Sequence, residues 1–218
     1  CGIHFRTLEL TPADSVPIRV RMASDSEAGL QIPDDQVQAL KNLAREAPAL
    51  FGARHFKHYD FLITLSDHTA HFGLEHHQSS DDRGSERWWL EDALRKNHSN
   101  LLSHEFVHSW NGKFRRPAGL ATGDYFTPMR GELLWVYEGL TQYLGFVLSA
   151  RSGIRSPEEA RDALARAAAE IESNRGRAWR PLVDTGTEAQ DLYEARRAWE
   201  HWRRSVDFYD EGLLLWLD

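Results

Sequence analysis

Cysteine is nearly absent: Cys1 is the only one in 218 residues. That excludes a disulfide framework and a Cys-rich zinc site. It leaves open a metal site built from histidines and carboxylates, and it suits cytosol or periplasm equally. Long apolar runs are also missing. The longest, at 133–137 and 213–217, fall far short of the ~20 residues of a membrane span and fit buried helix segments. There is no excess of positive charge: Lys plus Arg is 26 against 33 Asp plus Glu, a formal net charge of −7. A nucleic-acid partner would need a basic face, so that class is disfavoured. No internal repeat occurs, and no low-complexity segment beyond one Ala-rich stretch near residue 165.

What is present suits a folded enzyme. Hydrophobic residues make up 41% and charged residues 27%, with eight Trp and ten Phe. Such a chain can fill a sizeable core, so disorder is excluded as the main description. One domain with a small subdomain is expected at this length. The ends read as those of a piece of a longer protein. The first residue is Cys1, not Met, and the last stretch, 212–218, lies inside an apolar, helix-like run. An amino-terminal cysteine can also be the lipid-bearing residue of a lipoprotein, but the residues after Cys1 read as the middle of a strand.

The hydrophobic pattern divides the chain. Residues 17–23 alternate apolar and polar, which predicts a half-buried strand. Pro33-Asp34-Asp35 opens a helix carried by Val37, Leu40, Leu43, Ala44 and Ala47 as far as Phe51. Tyr59 to Leu65 is an apolar strand. Residues 71–80 read as an extended hairpin or edge strand, and 81–85 as a loop. Helices are expected at 90–110 and 132–150. Ser156-Pro157-Glu158-Glu159 predicts a helix start: a capping serine, proline at the first position and acids in the first turn. Further helices are expected at 188–202 and 207–217. Strands first and helices afterwards predict an α+β fold, with a mixed α/β part over 1–89 and a helical part over 90–218.

The sharpest feature is His104-Glu105-Phe106-Val107-His108. On a helix, positions i and i+4 share a face, so two imidazoles can hold one Zn²⁺. Glu105 follows the first ligand closely enough to hold water at the metal and take its proton. Zinc lowers the pKa of that water to about 7, which suits addition to a polarised carbonyl. Only about 0.04 chance matches to this pattern are expected in such a chain. Leu101, Leu102, Phe106, Val107 and Trp110 make the helix a buried one, where unpaired imidazoles would be costly. A catalytic zinc needs a third protein ligand and an open position. The next helix offers Glu138 in an apolar setting, where an unpaired carboxylate is expensive. Glu132, on the same helix but nearer the loop, reads as a cap or surface acid. Gln142, one turn after Glu138, could orient a ligand.

These residues resemble a known family. His104-Glu105-Phe106-Val107-His108-Ser109-Trp110-Asn111 followed by Leu134-Trp135-Val136-Tyr137-Glu138-Gly139-Leu140-Thr141-Gln142-Tyr143 is similar to the M61 glycyl aminopeptidases. These are zinc peptidases of the gluzincin group, related to the M1 aminopeptidases. Gly73-Leu74-Glu75-His76 resembles the segment preceding the zinc helix there, and Val206 to Gly212 resembles the later tyrosine segment. The likeness runs over nearly the whole chain. It implies a thermolysin-like catalytic domain, with a small mixed sheet followed by a helical half. It implies zinc held by His104, His108 and Glu138, with Glu105 as general base. Tyr209 would donate a hydrogen bond to the oxyanion. Glu75, on an edge strand, would bind the α-ammonium of a peptide with a free amino terminus, and Gly73 would let the substrate backbone approach. It also implies flanking amino-terminal β and carboxy-terminal PDZ domains, a preference for glycine or another small first residue, and a lean toward the bacterial periplasm.

The chain departs from that pattern at Glu211, where the family usually has lysine, and at Phe208, often a second tyrosine there. The reading is therefore a zinc aminopeptidase. An endopeptidase with the same ligands is the alternative within enzymes, and a weakened zinc- or peptide-binding module the alternative outside them. The histidines at 55, 58, 68 and 71 read as surface residues. Of Glu75, His76 and His77, alternation along a strand lets consecutive side chains face opposite ways.

Overall fold

Alternation in the strand expected at 17–23 buries Ile18, Val20 and Met22 on one face, and Tyr59, Phe61, Ile63 and Leu65 do the same one strand away. These two strands form the centre of a sheet. The structure is a computed structural model describing residues 2–192 and 202–218. The chain divides into two units: Cys1–Phe114 with Gly145–Pro157, and Arg115–Leu144 with Glu158–Asp218.

In the first unit, β1 (His4–Glu9), β2 (Ile18–Ser24), β3 (Tyr59–Leu65), β4 (Phe72–Glu75) and β5 (Ser79–Gly84) make one mixed sheet in the order β1-β2-β3-β5-β4. β2 pairs with β3, and β3 with β5, in parallel; the outer pairs, β1 with β2 and β4 with β5, are antiparallel. Helix α1 (Asp34–Phe51) supplies the connection between β2 and β3, burying Ala39, Leu40, Leu43, Ala44 and Ala47. The segment expected as a loop at 81–85 is largely strand. Asp81 to Gly84 pair with Leu62 to Leu65 on one side, and Asp81 to Arg83 with Phe72 to Leu74 on the other. Its polar composition hid a strand whose buried face is Ser80, Asp82 and Gly84.

The single helix expected at 90–110 is two, α2 (Asp92–Asn97) and α3 (Leu101–His108). The break falls at 98–100, where Ser99 Oγ donates to the Lys96 carbonyl at 2.6 Å and the His98 ring packs 4.8 Å from that of Trp88. Both helices group with the sheet in the first unit.

In the second unit the helix expected from 132 begins irregularly. A 3₁₀ turn, Gly131–Leu133, leads to a π turn, Trp135–Gly139, and only then to α4 (Leu140–Ser152), whose last eight residues belong to the first unit. α5 (Pro157–Ser173) starts at the expected proline and buries Ala160, Ala167 and Ile171. α6 (Leu182–Leu192) covers the start of the helix expected at 188–202; residues 193–201 of that expectation, like Cys1, lie outside the described residues. α7 (Asp210–Leu217) closes the chain. Gly139 and Gly212 pack backbone to backbone, since a Cβ on Gly139 would lie 2.7 Å from the Gly212 Cα. No helix among the described residues is long and apolar enough to cross a membrane.

Candidate metal centre

Helix α3 is positioned by its apolar side chains. Phe106 is wholly buried, packed between Tyr59, Phe61, Phe56 and Trp110 with ring centroids 4.5 to 5.9 Å away. Trp110 closes the far end by donating its indole N–H to the Ala53 carbonyl at 2.9 Å. On the sheet side, the Tyr59 hydroxyl donates to the Glu105 carbonyl at 3.2 Å. Burial pushes the Tyr59 phenol well above its usual pKa, and the Asp82, Glu105 and Glu75 carboxylates add to the effect, so it remains a donor. From α4, Gly145 lets the α3 backbone come close: a Cβ there would lie 2.9 Å from the His104 Cα.

This packing puts a polar trio in a dry setting. His104, Glu105 and His108 are 7%, 5% and 1% exposed. The two imidazoles converge, with their Nε2 atoms 3.0 Å apart. The other nitrogen of His108, Nδ1, lies 3.0 Å from the Asn111 carbonyl. A carbonyl only accepts, so Nδ1 carries a proton and a neutral His108 presents a lone pair at Nε2. Two imidazole ligands on one tetrahedral zinc would have nitrogens about 3.3 Å apart, from Zn–N bonds of about 2.05 Å. The pair therefore fits a single Zn²⁺ with little adjustment, and its donors are the borderline nitrogen type that zinc takes. The Asn111 carbonyl is the usual kind of outer partner for a metal-bound histidine.

Beside them stands Glu75. One ligand atom each from Glu75, Glu105 and His108 lies within 4.8 Å of the others. Glu75 is at the end of β4, the sheet's edge strand, and is ion-paired with Lys113. Gly73, two residues earlier on the same strand, faces the Glu105 carboxylate. Thus Gly73, Glu75, His104, Glu105 and His108 are brought together in the first unit. His76 and His77 are exposed. His55 differs from its surface reading: it is half-buried, 3.0 Å from the Ser109 hydroxyl and stacked on Phe114 at 4.6 Å, and burial lowers its pKa.

Glu138 and Tyr209 belong to the second unit. Glu138 is half-buried on the π turn, an irregularity that re-aims side chains and is frequent at functional sites. Glu132 is exposed and pairs with Arg130 at 3.2 Å. Tyr209 is half-buried just before α7, its ring 4.8 Å from that of Phe208. Gln142, expected to orient a ligand, donates to Asp210 at 3.1 Å.

Sequence reasoning gave no role to Asn111, although it stands in the family motif, nor to Lys113 and Tyr59. Asn111 and Lys113 follow the second histidine within five residues, which is a usable signal; Tyr59 gave none beyond its place on an apolar strand.

The profile of the M61 glycyl aminopeptidase family matches residues 97–215. No curated protein matches the chain closely enough to count as a relative. Among solved structures, the crystal structure of an aminopeptidase N family protein from Idiomarina loihiensis superposes with a TM-score of 0.83 at 21% identity. The match covers 98% of this chain and 36% of that one, so the chain spans about a third of that protein's length. At this identity the likeness establishes the fold.

Proposed function

Since this chain belongs to the M61 glycyl aminopeptidase family, we propose that it is the thermolysin-like catalytic part of a zinc peptidase that removes residues from the amino terminus of peptides. The observation that carries this is the convergence of the His104 and His108 Nε2 atoms at 3.0 Å, with the His108 tautomer set by Asn111. His104, His108 and Glu138 would hold the metal, as the family pattern implies. In the full-length protein this part would stand between an amino-terminal β domain and a carboxy-terminal PDZ domain.

When bound, zinc supplies a Lewis acid and a water whose pKa is lowered to about 7. The protein's own groups do the rest. Glu105 takes a proton from the attacking water and passes it to the amine as the carbon–nitrogen bond breaks. Burial of Glu105 excludes bulk water from that transfer. Tyr209 donates a hydrogen bond to the oxygen of the carbonyl as it becomes negative. Glu75 receives the substrate's α-ammonium, which restricts cleavage to the first peptide bond.

The test is metal content of the purified protein beside its Glu138→Ala variant. About one zinc per chain, much reduced in the variant, is expected of a three-ligand site. A chain that takes up no zinc when it is supplied would sink the reading. One observation favours an endopeptidase instead: the carboxylate of Glu75 already has Lys113 as a cationic partner. Hydrolysis of N-acetylated peptides as readily as free ones would select that alternative.

A further inference from the structure

We propose that Gly73 is a positioning residue for the Glu105 carboxylate, because the space a side chain at 73 would fill is the space that carboxylate occupies. The proposal rests on Glu105 being the general base. A Cβ on Gly73 would lie 2.0 Å from Glu105 Oε1, 2.6 Å from Cδ and 2.8 Å from Cγ. All three distances are below the 3.0 Å that real Cβ atoms respect. The overlap therefore involves the side chain from Cγ outward, and moving the terminal oxygen alone does not relieve it.

Backbone conformation does not explain the glycine. Gly73 is absent from the glycines with positive φ and pairs in regular antiparallel register with Asp82. Glycine within a strand weakens it, so a close approach is the remaining physical reason. On the other side Glu105 has little room. Every residue from Leu102 to His108 is buried, and the Tyr59 hydroxyl holds the Glu105 carbonyl at 3.2 Å. Helix α3 is thus fixed, and a substituent at 73 must turn the carboxylate or push β4 outward. β4 is an edge strand with a partner on one side only. The two responses can be told apart.

The experiment is the crystal structure of Gly73→Ala with its zinc content and steady-state kinetics on a free tripeptide. The expected result is a carboxylate displaced by about 1 Å or more with β4 in place. Zinc per chain should be unchanged, and kcat should fall about a hundredfold while KM moves little, as a misplacement of that size allows. Where Gly73→Ala folds poorly, Gly73→Ala with Glu105→Asp shortens the opposing side chain by one methylene and should recover the thermal midpoint. An unmoved carboxylate beside a displaced β4 overturns the proposal, as does a midpoint that the second change fails to recover. A displaced carboxylate in a protein whose parent hydrolyses no peptide would uphold the steric relation and sink the peptidase reading instead.

Discussion

Lys113 reaches from the turn after the histidine helix to the edge strand, its Nζ 3.1 Å from Glu75 Oε1 and both side chains only 17% exposed. The backbone N–H of Lys113 donates to the His108 carbonyl at 2.9 Å, so the lysine is mounted on the same turn as a candidate metal ligand. A substrate ammonium approaching Glu75 would therefore meet a cation beside the carboxylate proposed to bind it. Like charges a few ångströms apart in a half-buried site repel by amounts comparable to the attraction they offset.

Lys113→Met should consequently sharpen selection for free amino termini. The ratio of kcat/KM for a free peptide to that for its N-acetyl form should rise about tenfold, the equivalent of one modest charge interaction. The change should lie in KM, and Lys113→Arg should keep the ratio near that of the parent. Steady-state kinetics on the two peptides measure it; an unmoved ratio would leave Lys113 a structural tether.

Glu211 answers a buried cation. Arg204, 3% exposed and at φ 67°, bonds Asp207 Oδ2 at 3.0 Å and the Arg180 carbonyl at 2.6 Å, and is also paired with Glu211. Asp207 and Glu211 stand two residues before and two after Tyr209, so one guanidinium ties both flanks of that residue. Restoring the family's lysine by Glu211→Lys should destabilise the protein by about 3 to 5 kcal/mol, because it removes a partner of a buried arginine and adds a like charge. Urea unfolding would show it. Glu211→Lys made with Arg204→Met should recover part of the loss.

Asp82 should give stability a pH dependence unusual for a carboxylate. It is 0% exposed on β5, and burial raises its pKa from 3.8 to about 7 despite the Ser80 hydroxyl, which donates to Oδ2 at 2.6 Å. The folded-state pKa exceeds the unfolded one. The stabilisation from keeping Asp82 protonated is therefore complete below about pH 4 and is lost as pH rises through about 7. Asp82→Asn keeps the shape without the charge. It should flatten the decline over that window and be more stable than the parent at about pH 8. Urea midpoints across the range decide it; an equal decline in the variant would place the titration elsewhere.

Local periodicity made two features legible. The convergence of His104 and His108 follows from a helix placing i and i+4 on one face, and Tyr59 to Leu65 from apolar residues that allow little but a strand. Asp81 to Gly84 were misread because their stability as a strand comes from β3 and β4, which local composition does not encode. The π turn at Trp135–Gly139 was invisible because its apolar residues are consecutive and carry no period that would distinguish it from an ordinary helix. The Lys113–Glu75 pair joins residues far apart in sequence, and no spacing rule predicts it.

The hydrogen bond from Tyr59 to the Glu105 carbonyl joins positions 46 residues apart. Helix α3 has only eight residues, well below the ~12 at which an isolated helix becomes even marginal in water. Its two histidines should thus acquire their common face after the chain has closed that loop and laid down the parallel strands beneath it, pairings that form slowly. During refolding the sheet should appear first and uptake of the proposed zinc later, so the ion would report the finishing of the fold and not its nucleation.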